Sequence, residues 1–354
     1  MPIDGTPTPL TPAPVRIFTS LLCLAICDAL GAPAEFQARG TFPLITTLQP
    51  NANFNLPPGC WTDDTSQALC IAESLLAGTW SLEDQAGRYV KWWKQGYLSV
   101  TGRCFDIGTA TRKALGIWAR SPDSLGAVTT PAEEDVLLTV AGKLGERQYQ
   151  GNGSLMRVLP IALAFWKYPE EAGRLARESS RTTHPNEMCQ EACEFYVRVI
   201  CYILRHTEGQ ECHDLSFGKG DLLRMMRWWE WKDEELRRRL GDGKFVNKEE
   251  GEIKTTGWVL DTLEAALWVF FNTSSFEDGA IKVVNFGDDA DTVAAIYGGL
   301  VGAWHAKEEG FWVGRVKEWR DGLVKREIVE GVAERLKATE FKPMAGYGNN
   351  ILIE

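Results

Sequence analysis

The segment from Asn285 to Leu300 constrains the fold more than any other part of the sequence. It begins with Gly287, which permits a tight turn, and continues with three carboxylates, which are Asp288, Asp289 and Asp291. Carboxylates are favoured at the N-terminus of a helix, where the helix dipole is positive. The residues after Thr292 are small or apolar, with no Lys or Arg before Lys307. A helix that is apolar on every side is buried, so this segment predicts a buried helix whose N-terminal carboxylates lack basic partners.

A second segment, Pro58–Ala72, has the same design of glycine, acidic pair and apolar helix, with Thr62 as the N-cap before Asp63 and Asp64. Buried carboxylates without cations are costly, so a bound metal is the first hypothesis. Oxygen ligands suit Mg²⁺, Mn²⁺ or Ca²⁺ better than zinc, and two facing helix N-termini have room for two ions. The alternative is that each acidic cluster is only a helix cap.

Composition limits the class of protein. The chain has 354 residues, of which 44% are hydrophobic, enough for a sizeable core in one or two domains. Its net charge of −10 argues against a stable nucleic-acid or anionic-membrane binder. Nine cysteines without a Cys-x-x-Cys pair are typical of reduced thiols inside the cell. We find neither a signal peptide nor an uncharged apolar run of membrane-span length, and expect an intracellular protein, cytoplasmic or nuclear.

Helical periodicity dominates the chain, and no alternating strand series appears. The Pro- and Thr-rich residues 1–14 predict a disordered tail, and residues 15–354 a single domain. Within it, residues 206–256 are rich in glycine and charge, which predicts a variable inserted segment carrying one amphipathic helix, Leu222–Leu240. The tryptophans of that segment are interpreted as packing residues of the helix; they are Trp228, Trp229 and Trp231.

A glycine loop precedes an apolar helix that begins near Val158. Its sequence is Gly151-Asn152-Gly153-Ser154-Leu155-Met156-Arg157. Such a loop exposes backbone N–H groups and suits a phosphate or pyrophosphate, although a Gly-Asn-Gly turn alone is more often only a turn.

Three further polar residues are candidates. Asp28 lies late in a buried helix, where a carboxylate opposes the helix dipole unless it accepts hydrogen bonds, pairs or meets a metal. Glu35 follows in a loop, where it is either a ligand or general acid/base, or a solvated carboxylate. His184 precedes a helix, and either makes a local hydrogen bond or contacts a ligand phosphate or ribose.

Taken in order, six blocks resemble the ADP-ribosylglycohydrolase family. They are Cys27–Glu35, Trp61–Thr65, Gly151–Arg157, Thr183-His184, Gly257–Ala266 and Asp289–Ala295. The resemblance covers roughly residues 16–305, and six ordered blocks are a far stronger signal than any one of them.

The resemblance implies an all-α, compact, multi-helix single domain with a dinuclear Mg²⁺ cleft, Mn²⁺ being the other candidate ion. By motif match the metal ligands would be Thr62, Asp63, Asp64, Asp289, Asp291 and Thr292. Glu35 would be catalytic, acting with Asp63 and Asp64. The substrate-binding residues would be Gly151, Asn152, Gly153, Ser154, Met156, His184 and Trp258, with the glycine loop cradling the diphosphate of ADP-ribose.

The implied function is metal-dependent hydrolysis of the glycosidic bond between ADP-ribose and an acceptor. The partners would be ADP-ribose and ADP-ribosylated proteins, without nucleic acid or membrane, and the chain would act as a monomer. The resemblance leaves open whether the acceptor is arginine, serine, poly-ADP-ribose or a small metabolite.

This sequence departs from the family pattern at three positions, although no metal-ligand position is lost. Cys27 replaces a glycine, Asp288 stands where a glycine is expected, and Ala290 replaces a threonine.

Three alternatives to the hydrolase remain at this point. One is a non-catalytic ADP-ribose-binding or crystallin-like member of the family. Another is a terpene-synthase-like enzyme, disfavoured because its second acidic motif requires a following glutamate inside a helix. The third is a metal-dependent phosphohydrolase, which the metals alone would permit.

Overall fold

The computed structural model describes residues 11–120, 133–206 and 217–343. Within these ranges the chain forms α-helices joined by loops and short 3₁₀ turns, and its only β-contacts are two isolated bridges, Asn51 with Leu56 and Gly151 with Trp258. The helices are α1 (Ala13–Gly31), α2 (Asp63–Leu76), α3 (Leu82–Gln95), α4 (Thr109–Trp118), α5 (Glu133–Leu144), α6 (Leu159–Ala164), α7 (Pro169–Arg181), α8 (Glu187–His206), α9 (Lys219–Trp228), α10 (Glu234–Leu240), α11 (Val259–Asn272), α12 (Phe276–Val284), α13 (Ala290–His305), α14 (Gly314–Gly322) and α15 (Arg326–Ala338). The all-α prediction is confirmed.

Two helices, α1 and α13, form the centre of the molecule and run antiparallel. Glycines on α13 let the backbones approach: a Cβ at Gly298 would lie 2.4 Å from the carbonyl oxygen of Cys23. At the end of α1, a Cβ at Gly31 would lie 2.7 Å from the Cα of Asp291. The C-terminus of α1 therefore lies directly against the N-terminus of α13, where the acidic residues are.

The N-terminal boundary of the fold differs from the predicted one. Helix α1 begins at Ala13, and both Ala13 and Thr11 are buried. The hydroxyl of Thr11 donates a hydrogen bond to the carbonyl of Ala306 at 2.9 Å. Residues 11–14 therefore belong to the folded core and not to a disordered tail, because this contact fixes them against the end of α13. Residues 1–10 of the predicted tail lie outside the described residues.

One stretch, Ala13–Ala34, is long and apolar enough to span a membrane by length and composition. It is not an uncharged apolar run, the kind that the sequence analysis looked for, because it contains Arg16 and Asp28. In the fold, 89% of its most apolar window is buried inside the protein. Packing against α13 and α15 accounts for its composition.

The variable segment also differs from the prediction. The expected helix over Leu222–Leu240 is two helices, α9 and α10, with a break between them. The carboxylate of Glu191 on α8 accepts hydrogen bonds from the backbone N–H groups of Lys232 (2.7 Å) and Asp233 (2.6 Å). Asp233 in turn caps α10 through its side chain. A carboxylate that is distant in sequence thus stabilises the break between α9 and α10, which local hydrophobic periodicity does not indicate.

The tryptophans of that segment divide between packing and exposure. The rings of Trp229 and Trp231 lie 5.1 and 4.9 Å from that of Phe195 on α8, centroid to centroid, which confirms the packing interpretation for these two. Trp228 is 84% exposed, so the interpretation is wrong for it.

Candidate metal centre and ligand cleft

The two acidic helix N-termini face each other. Thr62 is the N-cap of α2, and its hydroxyl oxygen lies 2.8 Å from Oδ2 of Asp64 and 3.4 Å from Oδ2 of Asp291. Asp291 occupies the first turn of α13, far away in sequence. The arrangement expected from the two sequence segments, helix N-termini with facing carboxylates, is present in the fold.

Asp28 explains how α2 begins at this point. One of its oxygens accepts the backbone N–H of Thr62 (2.9 Å), and the other accepts the backbone N–H (3.0 Å) and hydroxyl (2.6 Å) of Thr65. Burial raises the pKa of Asp28 to about 6, an effect that the bonds from Thr65 and Thr62 oppose. Of the roles open to this carboxylate, the structure shows hydrogen bonding: α1 caps the N-terminus of α2.

Asp291 belongs to two groups of three carboxylates. Its partners are Asp28 and Asp64 in one group, and Glu35 and Asp106 in the other. Within each group, one oxygen atom per residue lies within 4.8 Å of the others. Asp106 lies in the loop before α4 and is not among the site residues predicted from the sequence. A single aspartate in a loop carries no local signal, and its partners are known only from the fold.

The carboxylates of this centre repel one another in a dry environment. Burial, followed by repulsion from Asp106, raises the pKa of Glu35 to about 10. Burial is likewise the largest cause that raises the pKa values of the other acids of the centre, which are the buried Asp63, Asp64 and Asp291 and the half-buried Asp106 and Asp289. Among the described residues, no Lys, Arg or His forms an ion pair with any of them.

The residues present fit a hard divalent cation. Oε2 of Glu35 and Oδ1 of Asp64 are buried and have no hydrogen-bond partner among the described residues. Every candidate ligand atom is an oxygen, the donor type that Mg²⁺ and Mn²⁺ prefer over zinc. A cation here would satisfy the unpartnered oxygens and offset the repulsion that raises the pKa values.

The loop before α13 is paired with the loop that carries Glu35. The backbone N–H of Phe36 donates to the carbonyl of Asp288, and that of Asp288 donates to the carbonyl of Gln37, both at 2.7 Å. Asp288 has a φ of 55°, which favours glycine, so a glycine at this position in the family pattern is understandable. The Asp288 side chain is exposed, so the additional carboxylate lies outside the buried centre.

The acidic centre opens into a cleft of about 980 Å³. Of the predicted site residues, the cleft is lined by Glu35, Asp63, Gly151, Asn152, Gly153, Met156, His184, Asp289, Asp291 and Thr292. Thr62, Asp64, Ser154 and Trp258 are not among the lining residues.

Those four have other contacts. Thr62 and Asp64 are fully buried behind the lining. The hydroxyl of Ser154 accepts a hydrogen bond from that of Ser180 (2.8 Å), and the indole of Trp258 is directed to the side chain of Gln150 (3.3 Å). Gly257, the residue before Trp258, lines the cleft, whereas Trp258 does not.

The glycine loop lies against His184. A Cβ at Gly153 would be 2.8 Å from Cε1 of His184, so only glycine fits there. The side chain of Asn152 donates to Oδ2 of Asp289 (2.7 Å) and to the hydroxyl of Thr262 (2.9 Å). Asn152 therefore orients an acidic residue of the centre, while the backbone of the loop faces the cleft.

A buried hydrogen-bonded relay connects the acidic centre to His184. Arg157, which is fully buried, donates to Oε1 of Gln67 (2.8 Å), and the amide of Gln67 donates to Oδ2 of Asp63 (2.9 Å). Arg157 also donates to the hydroxyl of Thr183 (2.7 Å), which lies 2.8 Å from Nδ1 of His184.

A guanidinium group only donates, so the Thr183 hydroxyl accepts from Arg157. The proton of this hydroxyl is then available to Nδ1 of His184, 2.8 Å away. Burial, followed by the charge of Arg157, lowers the pKa of His184 to about 3. The imidazole is therefore neutral, and when Thr183 donates to Nδ1 the imidazole proton is on Nε2, the nitrogen next to Gly151 and Gly153.

Comparison with known proteins agrees with this geometry. Residues 11–345 match the family model described as ADP-ribosylglycohydrolase. The chain is 30% identical over 321 residues to ADP-ribosylarginine hydrolase Tri1 of Serratia proteamaculans, across 90% of this chain and 77% of that protein. It is 28% identical over 320 residues to ADP-ribosyl-(dinitrogen reductase) glycohydrolase of Rhodospirillum rubrum, across 88% and 92%. A solved structure described as an ADP-ribosylglycohydrolase-related protein complex is similar with a TM-score of 0.73 at 34% identity, covering 92% of this chain and 98% of that one.

Proposed function

The chain belongs to the ADP-ribosylglycohydrolase family, and from this premise we propose that it hydrolyses the glycosidic bond between ADP-ribose and an acceptor in a metal-dependent reaction. The observation that carries the proposal is the position of Asp291, whose carboxylate is shared by two groups of acidic residues at the floor of the cleft. The alternative of a non-catalytic binder has no support, since the acidic residues converge and the relatives are named as hydrolases.

Two Mg²⁺ ions are the proposed cofactors, with Mn²⁺ as the other candidate. The residues that would hold them are Thr62, Asp63, Asp64, Asp289, Asp291 and Thr292. When bound, such ions supply positive charge that fixes substrate hydroxyls and makes water a better nucleophile. The unpartnered oxygens of Asp64 and Glu35 support this assignment.

Glu35 and Asp106 are the proposed proton carriers. Hydrolysis forms a bond between a water oxygen and the anomeric carbon and breaks the bond to the acceptor, which leaves with a proton. The water must lose a proton and the acceptor must gain one, so a pair of carboxyl groups beside the reacting carbon serves both needs. Glu35 and Asp106 both line the cleft and have oxygens within 4.8 Å of each other.

The diphosphate of ADP-ribose is proposed to lie on the glycine loop. Gly151 and Gly153 leave the backbone open to a ligand, and the neutral Nε2–H of His184 is a donor beside them. Lys113 is the only Lys or Arg among the described lining residues, and it adds a positive charge near this part of the cleft.

The proposed substrate is an ADP-ribosylated protein side chain. Two relatives, of Serratia proteamaculans and Pseudomonas putida, are named ADP-ribosylarginine hydrolase Tri1, a name that gives arginine as the acceptor. The similarity to ADP-ribosylhydrolase ARH3 of Bos taurus, at 22% identity, is weaker.

A release assay tests the proposal. Purified protein is incubated with Mg²⁺ or with EDTA and given arginine-, serine- and poly-ADP-ribosylated substrates while free ADP-ribose is followed. We expect metal-dependent release from at least one substrate, and none from Asp291→Asn, because that change removes a charge common to both acidic groups. Release by the variant at the wild-type rate would contradict the metal assignment. ADP-ribose binding without release by the wild type would indicate a binding module.

We also infer that the protein acts inside the cell and as a monomer. The eight described cysteines form no disulfide, which supports a reducing compartment. Cell fractionation tests the first inference and light scattering of the purified chain tests the second.

A further inference from the structure

The cleft has two chemically different parts. Near the glycine loop lie Lys113 and His184, while Glu35 and Asp106 lie at the acidic floor. If the diphosphate occupies the first part, the scissile bond lies at the acidic floor and the acceptor side chain leaves from there. The residues around Glu35 and Asp106 therefore decide which acceptor the cleft takes.

Phe36, which follows Glu35, is the notable side chain of this region. It is 68% exposed, and among the described exposed large hydrophobic residues it alone lines the cleft. Its backbone has a φ of 62°, an unfavourable value for a bulky residue. The backbone bond from Phe36 to Asp288 holds it there. An exposed ring in such a position contributes little to the stability of the fold.

Two further aromatic rings form a row with the ring of Phe36. The ring of Phe54 lies 6.4 Å from that of Phe36 and 5.3 Å from that of Phe105, and Phe105 precedes Asp106 in the chain. The aromatic row therefore ends at the same two carboxyl groups that are proposed to move protons. Most of the Phe36 ring remains exposed in the cleft that these carboxyl groups also line.

The charge of this region is not balanced. Among the described residues, no Lys, Arg or His forms an ion pair with Glu35 or Asp106. Arg39, four residues after Glu35, donates to three backbone carbonyls, those of Phe286, Glu250 and Ile253, while stacking on the ring of Phe286. It is therefore engaged in holding loops together. A ligand that brings its own positive charge is favoured here.

We infer that the exposed ring of Phe36, beside Glu35 and Asp106, is the subsite for the acceptor side chain, and that it selects a planar cation, the guanidinium of arginine. The inference rests on the proposed function and adds the acceptor class to it. A guanidinium group stacks on an aromatic face and is attracted by nearby carboxylates. A serine oxygen has neither a flat face nor a charge, and gains nothing from this surface.

The test compares Phe36→Ala with two controls. Phe36→Tyr keeps an aromatic ring at the same position. Leu44→Ala removes a side chain of similar exposure, 69%, that does not line the cleft. For each protein, kcat/KM is measured on arginine-linked and serine-linked ADP-ribose, and the affinity for free ADP-ribose is measured by calorimetry with Mg²⁺.

We expect Phe36→Ala to reduce kcat/KM for the arginine-linked substrate by roughly 3- to 30-fold, the range of a cation–π contact. Its affinity for ADP-ribose should be unchanged, because ADP-ribose lacks the acceptor. Leu44→Ala should behave as the wild type on both linkages, and Phe36→Tyr, which keeps the ring, should retain the preference for the arginine linkage that Phe36→Ala loses. Equal losses on both linkages, or an equal loss of ADP-ribose affinity, would overturn the inference.

The outcomes for the wild type separate this inference from the proposed function. Faster cleavage of the serine linkage than of the arginine linkage would refute the acceptor subsite and leave the hydrolase intact. Binding of ADP-ribose without cleavage of any linkage would refute the hydrolase, and the subsite with it.

Discussion

Arg157 shows how one buried residue organises both parts of the cleft. It is the last residue of the glycine-loop block, yet its guanidinium is directed towards Gln67 and Thr183 and does not line the cleft. The positive charge is stacked on the ring of Tyr89, 4.2 Å from its centroid, and has no carboxylate partner in the described chain. The residue therefore acts through others, as a positioning residue.

Arg157→Lys tests this role. A lysine presents a single point charge and cannot donate in a fixed fork to Gln67 and Thr183 together. We expect the proton of His184 to be no longer confined to Nε2, and kcat/KM to fall by roughly 10- to 100-fold, as for other groups that orient ligands of a metal centre. Nitrogen chemical shifts of the imidazole measure the tautomer. Unchanged shifts in a folded, less active variant would mean that Arg157 has only a structural role.

The sequence predicted most acidic residues of the centre, but not all of them. Asp63, Asp64 and Asp291 are visible because a helix N-terminus has a local signature of small, acidic and then apolar residues. Asp106 has no such signature, since its neighbours in the centre come from other parts of the chain. Trp258 is the opposite case: it belongs to a recognisable block, but its indole is directed to Gln150 and it does not line the cleft, so its contact with substrate stays a prediction.

At the scale of elements, the contact between α1 and α13 depends on glycine. A Cβ at Gly298 would meet the carbonyl oxygen of Cys23 at 2.4 Å, and one at Gly302 would meet Cβ of Cys23 at 2.8 Å. Since these neighbours are backbone or rigid atoms, they cannot move aside cheaply. The helices would have to separate, and the end of α1 would move away from Asp291.

Gly298→Ala should therefore destabilise the protein by roughly 1–3 kcal/mol, as overpacking of a core does. Gly331→Ala is the matched control: it lies in α15 with no atom within 4 Å of the added Cβ. That change should stabilise by roughly 0.4–1 kcal/mol, because alanine favours the helix. Urea denaturation measures both. A neutral Gly298→Ala would show that the close approach does not limit stability.

Helix positions were largely predictable, whereas helix breaks caused by distant residues were not. Helix α2 begins at Asp63 with Thr62 as its N-cap, and α13 begins at Ala290, as the two acidic segments predicted. The separation of α9 from α10 depends on Glu191, which is on another helix. The capping of α2 by Asp28 is a similar case: the sequence marked Asp28 as unusual, but only the fold shows what it caps.

At the scale of the whole molecule, the buried carboxylates link stability to both metal and pH. A raised pKa means that the folded protein binds more protons than the unfolded chain. For Glu35 without metal, the stabilising contribution is complete below its ordinary pKa of 4.5 and is lost as pH rises towards about 10. A divalent cation replaces those protons, so its binding strengthens as pH rises.

We therefore expect the difference in Tm between Mg²⁺-saturated and EDTA-treated protein to increase from about pH 5 to about pH 8. Buried histidines such as His184 do not confound this comparison, because both samples contain them in the same state. Differential scanning fluorimetry across a buffer series is sufficient. A difference that stays constant or shrinks with pH would contradict a carboxylate metal centre.

The antiparallel pair of α1 and α13 has a consequence for how the chain is made. Helix α1 leaves the ribosome early, and its partner surface on α13 is synthesised only after most of the chain. During that interval a stretch as apolar as a membrane span lacks its principal partner, although helices such as α2 and α8 also contact it. Contacts so distant in sequence form slowly, so we expect α1 to remain exposed until α13 is made. The proposed metal centre, which needs Asp289 and Asp291, cannot form before that moment.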